Sequence, residues 1–422
     1  MSSRTQTLSI TILLFCIALL ALATGLQGSL VGLLASQAEF GGLTIGYIAT
    51  GYPIGILLGA WLVPRMIEEV GYIRVFAGLA SLASSSALLL AVFIEPTWWF
   101  VLRVVTGIAT TGLYIICEAW LNASTSNRTR GRVMALYLVV TYSMMGAGQF
   151  LLNIDDGSGY IRFLLASVIL SFALVPITLL RIEVPAVVRT PPVSLAVVFR
   201  ASPLATYAIF VNGLAQSALF GLGSAYGVIK GIPVWWISVM IALPTLGVTI
   251  VQYPLGMLAD RVDRRLVLLA VSLFAALAAF LAATQQGSLL ITIMMFAAFG
   301  TLAIPTRSVA LAHINDQMES RQMLSASSRL FVIYGLGSSL GPLMVGTLMQ
   351  SSGPDAFMYF QAAIFFSVLL VSALRMALGP ARRRSSQVKD AITSWHIAPT
   401  QPGNPVHKAP AKDKSLGSGD ST

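Results

Sequence analysis

Charged residues are scarce in this sequence. Only 10% of its 422 residues are Asp, Glu, Lys or Arg, and 56% are hydrophobic, whereas about a quarter of the residues of a soluble domain are charged. So few charges cannot cover the surface of a soluble protein of this size. The composition therefore indicates a protein that crosses a membrane several times.

Cysteine and histidine are almost absent. Cys16 and Cys117 both lie inside apolar runs, which favours buried free thiols. No Cys/His spacing is typical of a metal site, because the histidines stand apart at a helix end or in the C-terminal tail (His313, His396, His407). A nucleotide-binding motif is also missing. We therefore predict neither a metal nor a cofactor.

Acidic residues are fewer than basic ones, 16 against 26, which gives a net charge of +10. Such an excess is also found in proteins that bind nucleic acids. Here the basic residues stand between apolar runs, where the preference of cytoplasmic loops for Lys and Arg explains them. We therefore expect a lipid bilayer, and no nucleic acid, as a partner.

Long apolar runs are abundant, and about 20 residues of helix are enough to cross a bilayer. The first run is too long for a signal peptide, so we interpret it as an uncleaved span. The sequence predicts an all-α integral membrane protein with twelve transmembrane helices, approximately at 8–35, 43–64, 75–94, 97–122, 133–153, 160–180, 204–228, 234–258, 266–285, 288–312, 323–349 and 356–378.

A polar, proline-rich connection divides these spans into six and six. The predicted organisation is an N-terminal half at 1–180, a cytoplasmic linker at 181–203, a C-terminal half at 204–378 and a tail at 379–422. The tail lacks the apolar content to form a core, so we expect it to be disordered.

The distribution of arginine predicts the orientation. One set of loops holds only Arg162 and Lys230 as basic residues, and the opposite set is rich in arginine. Both termini are on the arginine-rich side, so we predict a multi-pass protein of the cell inner (plasma) membrane with cytoplasmic termini. The arginines of that side are Arg65, Arg74, Arg128, Arg130, Arg132, Arg181, Arg189, Arg200, Arg261, Arg264, Arg265 and Arg321.

An internal repeat relates the two halves. A shift of 189 residues places Gln27 on Gln216 and Gly146 on Gly335, which aligns spans 1 and 5 with spans 7 and 11. Spans 2 and 8 match instead at a shift of 201, through Pro53 and Pro254. Because each half has an even number of spans, the copies have the same orientation, as in parallel transporter repeats.

Residues 256–265, which read GMLADRVDRR, resemble the cytoplasmic loop motif G-x-L-a-D-R-x-G-R-R of the major facilitator superfamily, except that Asp263 replaces a glycine. The equivalent loop between spans 2 and 3 is degenerate, with Val63 at the acidic position. Arg103 and Gly107 resemble the R-x-x-x-G motif of the fourth helix. Residues 118–122 and 337–342 are similar to the YcaD-like branch of bacterial permeases.

The resemblance implies two pseudo-symmetric six-helix halves and a cytoplasmic latch that holds one conformational state. A carboxylate at Asp260 can accept from helix N-terminal amides and pair with Arg132. The antiporter motif of the fifth helix has a Gly-Pro pair. This sequence does not meet it, because Gln149 follows Gly148. The latch residues are Gly256, Asp260, Arg261, Arg264, Arg265, Arg132, Gly59 and Arg74.

The resemblance also implies a central cavity lined by spans 1, 4, 7 and 10. At the 189-residue shift Glu118 lies on Arg307, so we expect an acid and a base at one depth on opposite walls. Two structural alternatives to a role in the cavity stay open. In one, Arg103 is bonded to carbonyl groups of a neighbouring helix, and in the other, Glu118 and Arg307 form a fixed pair. The candidate cavity residues are Glu118, Arg307, Arg103, Arg329, Gln27, Asn212 and Gln216.

These features favour a monomeric secondary transporter of a small organic solute that works by alternating access and is not an enzyme. Three arginines against one glutamate within the spans indicate an anionic or amphipathic substrate, and Glu118 makes coupling to protons a further expectation. One alternative is a multidrug-type efflux permease. Another is a membrane sensor without transport activity, or a membrane-embedded enzyme.

Overall fold

The computed structural model describes residues 3–125, 129–154, 159–179, 194–285, 287–318 and 323–378. These residues form helices and no strand. The helices are α1 (Ser3–Gln37), α2 (Gly42–Val70), α3 (Tyr72–Val92), α4 (Pro96–Ala123), α5 (Arg130–Phe150), α6 (Tyr160–Leu179), α7 (Leu195–Ala201), α8 (Pro203–Ile229), α9 (Val234–Arg261), α10 (Arg264–Thr284), α11 (Leu289–Ala303), α12 (Thr306–Asn315), α13 (Met323–Ser352) and α14 (Ala356–Leu378).

Twelve segments are long and apolar enough to cross a membrane, which confirms the predicted spans. The tenth span combines α11 and α12, and the short α7 precedes the seventh. The tail and residues 181–193 of the predicted linker lie outside the described residues, as does Arg321. The domain boundaries therefore stay a prediction.

Short polar residues fix the ends of several helices. Ser202 and Ser288 accept from backbone amides three residues further on and cap α8 and α11. Asp263 caps α10 by accepting from the amide of Arg265 at 2.9 Å. This cap gives a physical reason for aspartate at a position where the related motif has glycine. Gly71, with φ of +90°, makes the tight turn between α2 and α3.

Glycines let helices of the same half approach closely. Within the first half, Gly55 of α2 packs against Gly107 of α4, where a Cβ would lie 2.8 Å from the opposite Cα. Within the second half, Gly213, Gly337 and Gly341 hold α8 against α13 with backbone atoms in contact. Small residues at such positions allow the dispersion contacts that stabilise helix pairs in a bilayer.

Contacts between the two halves close one end of the bundle, which we call the sealed end. Here α2 begins and α13 ends, and a Cβ on Gly46 would lie 2.5 Å from the carbonyl oxygen of Pro342. Hydrogen bonds between described residues join the halves at this end: Leu43 N to Gln350 Oε1 at 2.9 Å, Ser224 Oγ to the Ser29 carbonyl at 2.7 Å, and Asn153 Nδ2 to Ser238 Oγ at 3.0 Å.

At the opposite end, where α1 begins and α14 ends, none of the described close glycine contacts joins one half to the other. The side chain of Arg307 is exposed although it belongs to the tenth span. We infer that the bundle contains a cavity that is accessible from this end, which we call the open end.

The close contacts of spans 2 and 8 involve one glycine each. Gly55 of α2 packs against α4, and Gly247 of α9 packs against α11. The match of Pro53 with Pro254 at a shift of 201 stays a prediction.

Candidate functional site

Arg103 occupies the first half of the site. It lies on α4, is 4% exposed, and its guanidinium carbon stands 4.5 Å from the ring centroid of Tyr52 on α2. Its Nε atom has no hydrogen-bond partner within the described ranges. The ring of Tyr52 is held in turn by Thr110, whose hydroxyl lies 3.2 Å from the tyrosine oxygen. A cation–π contact thus stands where an ion pair is usual for a buried arginine.

Arg307 occupies the second half in a related way. It lies in the first turn of α12, is exposed to the cavity, and its guanidinium carbon stands 4.9 Å from the ring centroid of Tyr334 on α13. Arg307 also interacts electrostatically with Glu118 and Tyr142. Each half therefore presents one arginine on a tyrosine ring.

The two tyrosines stand between these arginines. Tyr52 of α2 and Tyr334 of α13 lie near each other across the contact of these helices, where Gly335 packs against Leu57. The order Arg103, Tyr52, Tyr334, Arg307 runs from α4 to α12 and crosses from one half to the other. We call these four residues the arginine–tyrosine row.

Glu118 stands beside this row and makes a different contact from the one expected. Its carboxylate accepts a short hydrogen bond from the hydroxyl of Tyr137 on α5. Within the described part of the chain no direct ion pair joins Glu118 to Arg307. The two side chains interact over a longer distance.

The sequence expected Glu118 and Arg307 at one depth on opposite walls of the cavity. The chain between Gly300 and Arg307 is not continuous helix, because α11 ends at Ala303 and α12 begins at Thr306. The expectation of one depth therefore stays a prediction.

Asn212 and Gln216 hold the break in the tenth span. Pro305 ends α11 because it lacks an amide hydrogen and leaves carbonyl groups without their helical donors. Asn212 Nδ2 donates to the Ala303 carbonyl at 2.7 Å, and Gln216 Nε2 donates to the Ile304 carbonyl at 3.3 Å. Such side-chain donors are what permits irregular backbone at membrane depth.

Two further candidates stand apart from the row. Gln27 is 2% exposed on α1, and its Nε2 atom has no partner among the described residues. Arg329 is half-buried near the start of α13, towards the open end. Among the described contacts, none joins Gln27 or Arg329 to Arg103 or Arg307.

The predicted latch is organised around Arg264, which is only 14% exposed. Its guanidinium pairs with Asp260 at 3.2 Å and with Asp316 at 3.0 Å, and it donates to the carbonyl groups of Ala259 and Ala312. These contacts join the ends of α9, α10 and α12. Arg74 and Arg132 are exposed, and Gly59 packs closely on α4.

A family model decides the identity. The Major Facilitator Superfamily model matches residues 13–244 and 236–412, which together span most of the chain. The chain belongs to the Major Facilitator Superfamily. It is therefore a membrane transporter and not an enzyme, and in the residues described no group of three or more His, Cys, Asp or Glu side chains is suited to hold a metal.

Relatives of this superfamily transporter support that conclusion. It is 26% identical over 375 residues to an uncharacterised MFS-type transporter, YcaD, of Salmonella newport, covering 87% of this chain and 96% of the relative. YcaD of Salmonella typhimurium gives the same values.

Two solved structures share the fold. A bacterial homologue of the human lysosomal transporter Spinster, inward-facing and occupied, has a TM-score of 0.73 at 13% identity and covers 90% of this chain and 98% of its own. The nucleoside transporter NupG has a TM-score of 0.68 at 12% identity, with 87% and 100% covered.

Sequence reasoning missed the tyrosines of this superfamily transporter. None of Tyr52, Tyr137, Tyr142 and Tyr334 was among the candidate cavity residues. The available signal was a phenol inside an apolar span, where a hydroxyl group usually has a polar partner. The sequence does not identify the partner residue, because the partners of these phenols lie on other helices.

Proposed function

We propose that this transporter carries a small organic anion by alternating access and couples it to protons through Glu118. The observation that carries the proposal is the arginine–tyrosine row. Arg103 and Arg307 bring two positive charges into the membrane region, and no ion pair within the described ranges neutralises either. A charge at such a depth costs roughly 2.5–3.5 kcal/mol, and proteins retain it where it serves a ligand.

The chemistry of guanidinium favours a carboxylate or a related anion. Its planar donors bind such groups through two parallel hydrogen bonds, which are about twice as strong as neutral ones. Arg307 is the accessible arginine, and Tyr142 and Glu118 lie within electrostatic range of it. We infer that the anionic group binds at Arg307 and that the rest of the solute faces the tyrosines.

Alternating access requires that the sealed end open while the open end closes. The interface between the halves suits this movement because its contacts are small. Gly32 meets Gly221 and Ser224, and Gly46 meets Pro342. Such surfaces separate without leaving large apolar side chains unpaired.

Glu118 is suited to carry the proton. Closing the cavity removes water and disfavours a charged carboxylate, whereas Arg307 and the Tyr137 hydroxyl favour it. Movement of Arg307 with its half during the cycle changes this balance. Glu118 then takes up a proton in one state and releases it in the other.

A stabilisation screen tests the proposed substrate class. Purified protein is heated with organic anions, neutral amino acids and cationic drugs, and a ligand at 100 times its Kd adds about 2.7 kcal/mol to stability. We expect organic anions to raise the Tm, and Arg307→Met to weaken their binding roughly 10- to 100-fold, as the loss of a charged hydrogen bond does.

Arg375→Met is the matched control for this screen, because it removes an exposed arginine near the end of α14. It should leave the Kd of the same anions unchanged. Stabilisation by cationic drugs alone would refute the anion proposal and favour the efflux permease. Equal weakening by both variants would show a general effect of charge instead of a site at Arg307.

We place the open end in the cytoplasm because the arginine-rich loops are expected there. A cysteine at Ser194, an exposed position just before α7, should react with an impermeant maleimide in inverted vesicles and not in intact cells. The native Cys16 and Cys117 are buried and give a low background. Labelling of Ser194→Cys from outside intact cells would contradict the orientation.

We propose further that Asp260 acts as a conformational latch and not as a substrate ligand. Asp260→Asn weakens one contact of Arg264, while Asp316 and two carbonyl groups still hold it. We expect slower exchange of the anion with little change in its Kd. The exchange rate and the distance between spin labels on the two halves measure this. A lower affinity with an unchanged distribution of states would argue against the latch.

A further inference from the structure

We propose that Tyr334 and Gln216 are positioning residues that link the hold of Arg307 on an anion to the bend of the tenth span. This inference rests on the proposed function, because it names how the anion site responds to its occupant. Binding at Arg307 changes the angle between α11 and α12, and the equivalent arginine of the other half does not act in this way.

The break in the tenth span and Arg307 are held by the same two helices. Gln216 of α8 donates to the Ile304 carbonyl at 3.3 Å, and its Oε1 accepts from the hydroxyl of Tyr334 at 3.3 Å. The ring of Tyr334 in turn lies under Arg307. Only Pro305 and Thr306 separate Ile304 from Arg307 along the chain, so these contacts form a closed circuit around the break.

The platform for this circuit is rigid. Gly213 of α8 contacts the backbone of Tyr334 itself, and Gly337 and Gly341 of α13 contact the backbone of α8. Gln216 is steadied further by Asn212 Oδ1, which accepts from its Nε2 at 2.8 Å. These contacts fix α8 and α13 to each other, and we infer that α12 is the element of the circuit that moves against them.

An anion at Arg307 competes with the ring of Tyr334. An exposed cation–π contact is weaker than a charge-assisted hydrogen bond between a guanidinium group and an anion. The anion therefore draws the guanidinium away from the ring. Because Arg307 lies in the first turn of α12, this displacement acts on α12 directly beside the break.

The other half contains the same pair without the break. Arg103 lies on Tyr52, but α4 runs uninterrupted from Pro96 to Ala123. Tyr52 is held by Thr110 of the helix that carries Arg103, so its contacts do not reach a flexible point. Arg103 is thus a fixed charge, and Arg307 is the arginine that moves with its helix.

The test measures the bend of the tenth span directly. Spin labels on cysteines at Leu290 and Asn315 report the distance across the break, and a pair at Trp98 and Asn122 reports the continuous α4. We expect Tyr334→Phe and Gln216→Leu to shift the first distance in the protein without added anion, and Arg307→Met to shift it in the same direction. The second distance should stay unchanged.

Thr110→Val is the matched control, because it removes the hydroxyl that holds Tyr52 and leaves the break intact. It should leave the distance across the break as in the wild type. Retention of the wild-type distance in both Tyr334→Phe and Gln216→Leu would overturn the proposal. So would an equal shift in Thr110→Val, since the break would then respond to any change in the row.

Benzoate serves as the anionic probe of the coupling. We expect it to shift the wild-type distance towards that of Arg307→Met and to cause no shift in Arg307→Met itself. No shift in the wild type, or an equal shift in both proteins, would overturn the coupling. A stabilisation screen without any anionic ligand would instead refute the proposed function, and the distances without anion would still decide the role of Gln216.

Discussion

Glu118→Gln is expected to abolish net transport driven by a pH gradient and to leave exchange of the anion across the membrane intact. Glutamine keeps the shape of the side chain and the oxygen that accepts from Tyr137, but it cannot gain or lose a proton. Uptake into proteoliposomes with and without a pH gradient, and exchange without a gradient, measure the two activities. The anion used in the uptake and exchange measurements is one that raises the Tm in the stabilisation screen.

Folded yield separates this role from a structural one. Removing one partner of a tightly paired buried ion pair costs roughly 3–5 kcal/mol, whereas Glu118 and Arg307 interact at longer range. We therefore expect a near-normal yield of Glu118→Gln. Tyr137→Phe is the control that removes the hydrogen bond and keeps the carboxylate. Normal pH-driven uptake by Glu118→Gln would remove its coupling role altogether.

Gly46→Leu is expected to open the sealed end. A Cβ at this position would lie 2.5 Å from the Pro342 carbonyl oxygen on the other half, and the backbone of α13 cannot move away while the seal is closed. Overpacking costs about 1–3 kcal/mol, which corresponds to a change of roughly 5- to 150-fold in the ratio of the two states. A cysteine at Ala49, buried at this interface, should become reactive to a maleimide from outside.

Two other glycines provide controls for this prediction. Gly337→Leu disturbs a contact within one half, where α13 meets α8, so it should lower the Tm without exposing Ala49→Cys. Gly78→Leu places a side chain in open space on α3 and should change neither the Tm nor the reactivity of Ala49→Cys. An Ala49→Cys reactivity that stays at the wild-type value in Gly46→Leu would show that this contact does not govern closure.

The helices were predictable because the cost of placing polar backbone in a bilayer acts locally. A run of about 20 apolar residues forms a spanning helix whatever its neighbours are, and the structure has all twelve. The break at Pro305 has a local cause as well, since proline lacks the amide hydrogen. The side chains that bond to the carbonyl groups at this break were not foreseen, because Asn212 and Gln216 had been assigned to the cavity wall.

The site was only partly predictable. Arg103, Arg307 and Glu118 stand out in the sequence because a charge in an apolar run is expensive and has to serve a purpose. Their partners do not stand out. Arg307 contacts a ring on α13, and Glu118 accepts from a phenol on α5, so each contact depends on which faces of two helices meet.

The sequence by itself determined the number of spans, the class of the protein, the arginine-rich side and the charges available for function. The tertiary structure alone decided that Arg103 and Arg307 lie on Tyr52 and Tyr334, that Glu118 stays out of direct contact with Arg307, and that Gly46 meets the backbone of the other half at the sealed end. The physical reason is that burial of an apolar helix is a property of the helix. A contact between side chains depends on the rotation and depth of two helices, which close packing of the whole bundle sets.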